Sequence, residues 1–212
     1  MMLVKISVYI FLFGLCESFI FPRDIKNFFN VYKTPSISIE TYNKLNTNEV
    51  SSFITNERYK NLSNNLYNEM VGMINKDFLY RQKNSFSNLP LTILIASKDN
   101  QIVGVITIES SEIDINGKKE NQPVISNLIV SSEMRRKGIA KSLTLRAEKI
   151  AKSFAYKNIY LFVNIENAPA IRLYKSRRYK SLGDTKNTTR IILQNNRFRN
   201  VKCVNIMMKK KI

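Results

Sequence analysis

The chain has 212 residues, with 34 Lys and Arg against 16 Asp and Glu, a formal net charge of +18 and no histidine. Its 44% hydrophobic content can build a packed core for one domain plus an extension. The missing imidazole excludes Ser-His-Asp and Cys-His catalysis and His-ligated zinc, and two cysteines exclude both a disulfide scaffold and a Cys-rich metal centre.

Asn, Ile and Lys, whose codons are A/T-rich, fill about a third of the chain. Part of the excess charge therefore reads as codon bias, and the rest leaves room for an acidic partner. At the start, Met1 to Lys5 carry one positive charge and Ile6 to Leu15 form an apolar run. Gly14 and Cys16 are small residues suited to a cut at Glu17, and residues 1–17 read as a secretory signal peptide. The run is shorter than the ~20 residues a spanning helix needs, so stable membrane insertion is not expected. Residues 18–35 hold Arg23, Lys26 and Lys33 against Asp24. Signal and leader together resemble the bipartite presequence of a complex plastid such as an apicoplast, reached by the secretory route. Plain secretion is the alternative.

Residues 36–212 form the expected folded domain. Ser36 to Glu40 alternates like a strand, and Tyr59, Leu62, Leu66, Met70 and Met73 recur at helical spacing within 57–83. Leu91 to Ala96 and Ile102 to Ile108 read as a hairpin around Asp99-Asn100. A hydrophilic loop is expected over 110–122, then a strand over Val124 to Val130. The stretch 138–155 predicts a helix with Leu143, Ala147, Ile150, Ala151 and Phe154 on one face and Glu148 four residues before Lys152. A strand follows over Ile159 to Ile165. Asn167 and Pro169 open a short helix reaching about Ser176. Two short strands, near 179–182 and 201–207, flank a polar insertion over 186–200 that holds Lys186, Arg190, Arg197, Arg199 and no acid. The order β-α-α-β-β-β-α-β-α-β-β predicts an α/β (α+β) domain with one mixed sheet covered by helices.

The segment with most chemical content is Arg135-Arg136-Lys137-Gly138-Ile139-Ala140, between a strand and a helix. A helix start has unpaired N–H groups and a positive dipole end, and Gly138 permits close approach, so the turn suits a diphosphate. Together with Asn167-x-x-Ala170-x-x-Leu173-Tyr174, this pattern resembles the GNAT acetyltransferase superfamily, and the run from Arg135 to Lys152 is similar to its plastid branch. The resemblance is strong over about 124–180 and looser over 36–210.

It implies a GNAT-like acyl-CoA N-acyltransferase fold with splayed central strands, here 124–130 and 159–165, and acetyl-CoA as co-substrate with no metal. The pantetheine arm would pair with the backbone of Leu128, Ile129 and Val130, and a backbone N–H near Leu128 or Ile129 would meet the thioester carbonyl. Residues Arg135, Arg136, Lys137, Gly138, Ile139 and Ala140 would cradle the diphosphate. Asn167, with Ala170, would meet the arm, while capping the helix in any case. Tyr174 would be the general acid for the departing thiolate, or else a core aromatic.

The acceptor implied is a primary amine: a protein N-terminus, a lysine or a small amine. Arg178 stands where the family usually has Gly, before Tyr179, which puts the local turn in question. Phe162 and Val124 occupy positions where the family often has a Glu base, leaving Glu109, Glu112, Asp114, Glu166 or a water chain. Cys203, in an apolar strand, reads as an inert thiol. Two other functions remain: a non-catalytic CoA-binding or interaction module of the same fold, and a basic nucleic-acid-binding protein, against which stands the absence of any helix-turn-helix, zinc or RNA-reading motif.

Overall fold

The computed structural model describes residues 37–43, 47–83 and 89–212. The expected signal peptide and leader lie outside the described residues. In chain order the elements are β1 (Ser38–Thr41), α1 (Asn48–Arg58), α2 (Asn64–Lys83), β2 (Thr92–Lys98), β3 (Gln101–Ile115) and β4 (Lys118–Val130). A single 3-10 turn (Ser132–Met134) leads to α3 (Ile139–Ser153), β5 (Asn158–Asn164), α4 (Ala168–Ser176), β6 (Lys180–Gln194) and β7 (Arg197–Lys211). The seven strands form one sheet in the order β1-β2-β3-β4-β5-β7-β6. Every neighbouring pair is antiparallel except β4–β5. The expected element order and mixed sheet are observed.

The period-two alternation of the strands decides which helix covers which face. Leu94, Ile106, Ile108 and Leu161 face one way and pack with Leu143, Ala147 and Ala151 of α3 and with Tyr174 of α4. Ile93, Ile95 and Val105 face the other way, against Val50 and Ile54 of α1 and Phe78 of α2. Gly104 sets the distance of α3 from the sheet. A Cβ there would lie 3.1 Å from side-chain atoms of both Ile139 and Leu143.

Three expectations need correction. The hydrophilic stretch 110–122 is not a loop. It continues β3 and β4 as an antiparallel hairpin from Glu109↔Val124 to Ile115↔Lys118, closed by Asn116-Gly117 with both φ positive. Likewise 186–200 is no insertion but the far half of a long β6–β7 hairpin, with Asn195 and Asn196 at φ +51° and +56° making the turn. Finally, helix precedes position 57. The α1 face includes Ser51 and Thr55, both buried, and Thr55 satisfies its hydroxyl by donating to the Ser51 carbonyl at 2.8 Å. Those polar residues hid the apolar stripe.

Within α3, Glu148 does not pair with Lys152. It is buried and takes hydrogen bonds from Arg177 at 2.8 Å and Lys210 at 2.6 Å, tying α3 to α4 and β7. Lys152 is exposed. Among the described residues no helix is long and apolar enough to cross a membrane.

Candidate functional site

The parallel junction of β4 and β5 is short: only Val124↔Tyr160 and Ile125↔Leu161 are in register. Beyond Ile125 the two strands part. On its other side β4 pairs with β3 at Ser126, Ile129 and Val130, with an irregularity between. Asn127 and Leu128 have no partner residue in either neighbouring strand, and Asn127 takes φ +50°. This bulge frees peptide groups in the mouth of the fork, where a ligand with amide groups can satisfy them.

At the top of β4 the chain turns through the 3-10 helix into α3. Gly138 is the residue before the helix, with φ +81°, and no side chain caps the helix start. Arg136 is also left-handed, at φ +65°. The turn is anchored from α1. Glu57 accepts the Ser132 N–H at 2.9 Å and lies 3.6 Å from the Arg135 guanidinium. Arg135 in turn donates Nε to the Val130 carbonyl at 3.1 Å. The result is a fixed helix start carrying uncapped N–H groups and three cations.

Fork and turn share a cavity of about 620 Å³. Ten of the eleven residues read from sequence as coenzyme-binding line it: Leu128, Ile129, Val130, Arg135, Arg136, Gly138, Ile139, Ala140, Asn167 and Ala170. Lys137 does not, and its ammonium instead lies 3.4 Å from the Met134 sulfur. The sequence reading missed Glu57 and Arg58. They reach the cavity from the end of α1, an element whose pairing with the fork has no local signature.

A second cavity, about 1050 Å³, lies between α1, α2 and the β6–β7 hairpin. Arg58 and Asn167 line both cavities, and Asn127 lines this one. The hairpin is docked by Tyr59, whose hydroxyl donates to the Ile191 carbonyl at 3.2 Å and whose ring meets Phe198 edge-on at 5.7 Å. Burial raises the Tyr59 phenol above its ordinary value. The Arg58 guanidinium donates from Nη2 to the Asn127 side-chain amide oxygen at 2.9 Å.

Asn167 caps α4, its side chain accepting the Ala170 N–H at 3.2 Å. Tyr174 is buried at 6% exposure, with its ring 5.6 Å from that of Tyr179. It lines neither cavity, and its hydroxyl has no hydrogen-bond partner among the described residues. Burial raises its phenol well above 10, which keeps the proton on Oη and makes it a weaker acid than a free phenol.

Arg178 answers the question raised by its position. It adopts φ +67°, the left-handed conformation that favours glycine. The Arg178 N–H donates to Lys175 O at 2.9 Å and the Tyr179 N–H to Tyr174 O at 3.0 Å. These two bonds, with the Tyr174–Tyr179 ring contact, are those of a Schellman helix end. The turn forms with arginine in place.

The four carboxylates considered as bases are all engaged. Glu109 pairs with Arg81, Glu112 with Lys119 at 3.0 Å and Glu166 with Arg190 at 3.3 Å, while Asp114 accepts the Gly117 N–H at 2.8 Å. Phe162 sits under the Lys186 ammonium, 5.7 Å from its ring centre. Cys203 is half-buried beside polar groups, 3.1 Å from the Thr188 hydroxyl, rather than sealed in an apolar strand. Among the described residues no cluster of three His, Cys, Asp or Glu is placed to hold a metal.

A mixed sheet forked at one parallel junction, with a basic helix start above the fork, defines an acyl-CoA N-acyltransferase fold. The model of the Acetyltransferase (GNAT) family matches residues 54–178, more than half of the chain, and the protein belongs to that family. It is 28% identical over 94 residues to GCN5-related N-acetyltransferase 4, chloroplastic, of Arabidopsis thaliana, covering 42% of this chain and 32% of that protein. It is 25% identical over 133 residues to N-acetyltransferase 8 of Mus musculus, covering 63% of this chain and 55% of that protein. The chain thus spans about a third to just over half the length of these curated relatives. A GNAT family acetyltransferase from Elizabethkingia anophelis, solved with acetyl-CoA bound, matches with a TM-score of 0.54 at 15% identity, over 83% of this chain and 98% of that one.

Proposed function

We propose that this protein is an N-acetyltransferase that moves an acetyl group from acetyl-CoA to a primary amine, a protein N-terminus or a lysine. The observation that carries the reading is the union, in one cavity, of an open fork and an uncapped basic helix start, in a chain of this family. The residues present fit the coenzyme. Freed peptide groups at Asn127 and Leu128 suit an amide-bearing arm. The turn before α3 suits a diphosphate, and beyond its own chain neighbours no heavy atom lies within 4 Å of where a Cβ on Gly138 would stand.

In this reading Arg135, Arg136 and the N–H groups of Gly138, Ile139 and Ala140 hold the diphosphate, with Lys137 adding charge nearby. The backbone of Leu128, Ile129 and Val130 and the Asn167 side chain orient the arm. When bound, acetyl-CoA supplies an activated acetyl thioester. A backbone N–H at the bulge polarises its carbonyl oxygen. Tyr174, next in sequence to the cavity-lining Leu173 and kept protonated by its burial, would supply the proton from Oη to the sulfur that leaves. With Glu109, Glu112, Asp114 and Glu166 all engaged, the acceptor ammonium gives its proton to water before attack. The amine nitrogen forms its bond to the acetyl carbon directly, without a covalent enzyme intermediate.

Acetyl transfer to a peptide panel by the wild type and by Tyr174→Phe tests this. The expected result is turnover in the wild type and a fall in kcat of about a hundredfold in the variant. No turnover with any acceptor, despite coenzyme binding, would make the domain a non-catalytic CoA-binding module. The proposed destination is a plastid reached by the secretory route, supported by the apolar run and basic leader of residues 1–35. Imaging a fluorescent protein fused behind those residues tests it, and a secreted fusion would refute it.

A further inference from the structure

The second cavity is the acceptor's approach to the fork if the acetyl-transfer reading holds, and its walls have a chemical character. One wall is apolar: Met70, Met73, Ile74 and Phe78 of α2, with Met73 left 41% exposed. The charged groups that line it are Arg58, Lys60, Asp77 and Arg190. Two of these are spent. Asp77 pairs with Arg81 at 3.1 Å and Arg190 with Glu166 at 3.3 Å. Lys60 and Arg58 have no carboxylate partner among the described residues.

Arg58 stands at the decisive place. It lines both cavities, and its Nη2 is held by Asn127 at the bulge where the fork opens. Its neighbour Glu57 is turned away, bound to Ser132 and Arg135. A guanidinium offers five donors, and the one bond to Asn127 leaves most of them for a ligand. An amine that arrives at the end of a long hydrated cation meets an apolar wall and two like charges. An amine on an apolar side chain, with a carboxylate close behind it, meets complementary groups throughout.

We propose that Arg58 selects the acceptor, holding a carboxylate of an acidic peptide whose apolar first residue lies along the α2 wall, so that its α-amine faces the fork. This rests on the acetyl-transfer reading and adds the acceptor class to it. Arg58 also braces Asn127, so a variant alone does not separate recognition from support. The ratio of two substrates in the same variant does.

The test uses peptides that share an N-terminal Met and all later residues but carry Asp, Asn or Lys at the second position, assayed at saturating acetyl-CoA. A charge-assisted bond to carboxylate predicts a kcat/KM about tenfold higher for Asp than for Asn, mostly through KM, with Lys below both. In Arg58→Gln the Asp-to-Asn ratio falls to about one, whatever the damage to overall rate. Arg58→Lys restores part of the ratio. Equal rates on Asp and Asn peptides in the wild type, or a ratio that survives in Arg58→Gln, would overturn the proposal while leaving acetyl transfer intact. Coenzyme binding with no turnover on any peptide would overturn both, and absence of coenzyme binding would overturn the cavity assignment beneath them.

Discussion

Replacing Arg178 by glycine should make the protein more stable, against the usual direction for a point substitution. Arg178 sits at φ +67° one residue past the α4 cap. A side chain there costs about 1–2 kcal/mol relative to glycine, because Cβ crowds the backbone. Glycine returns about 0.4–1 kcal/mol of that through its greater freedom in the unfolded chain. The two bonds of the helix end involve only backbone atoms, so Arg178→Gly keeps them. No ion pair is lost, since the guanidinium has no carboxylate partner among the described residues. The net gain is about 0.5–1 kcal/mol, which for a chain of this size is a rise in Tm of roughly 1–4 °C. Arg178 also shares a cleft with Lys180, Lys209 and Lys211, so removing its charge relieves repulsion as well. Arg178→Ala separates the two effects, for it removes the charge and keeps Cβ. Paired urea and thermal melts should place the alanine variant near wild type and the glycine variant above it. Equal gains would refute the conformational argument in favour of charge, and a loss with glycine would show that the turn carries no strain.

Three further outcomes follow from the same geometry. Arg136→Ala should weaken acetyl-CoA binding about tenfold by calorimetry, through loss of a cation at the diphosphate, and unchanged affinity would contradict that assignment. Glu148→Ala should destabilise the fold by about 3–5 kcal/mol in denaturant titration, because it leaves Arg177 and Lys210 without their shared buried carboxylate. Burial pushes the phenols of Tyr174 and Tyr179 well above 10, Tyr179 further by the charge of Glu148. Below pH 10 folded and unfolded chains keep both protons, so these groups leave stability level. Above it the unfolded chain releases them first, and stability falls by up to about 1.4 kcal/mol per pH unit for each phenol. Unfolding midpoints at pH 9 and pH 11 check this, and a Tyr179→Phe protein should lose less over the same interval.

The elements legible in the sequence were those whose signals are local. Asp99-Asn100 announced its hairpin, and Asn167 with Pro169 announced the start of α4. The turn from Arg135 to Ala140 could be read because a strand, three cations, a glycine and a helix follow one another within a few residues. The distal hairpins were not legible, since strands such as Ser110 to Asp114 and Arg197 to Asn200 are too polar for alternation to show. Their pairing is enforced by Asn-Gly and Asn-Asn turns and by the strands beside them. Arg58 was illegible for another reason. Nothing near position 58 says that the end of α1 will abut a bulge 69 residues later. Tyr174 was found by motif, while its distance from solvent depends on Tyr179 packing across a helix end that only the folded chain reveals.

Only two residue pairs make up the ladder between β4 and β5. Each flank of that seam is knit from antiparallel neighbours and needs nothing from the other side to satisfy its own ladder. A molecule wedged into the gap therefore acts as a keystone as well as a reactant. At a concentration a hundred times its dissociation constant it would add about 2.7 kcal/mol to the cohesion of the whole domain. The place where the sheet's ladder is shortest is thus the place where its partner can do most to hold it.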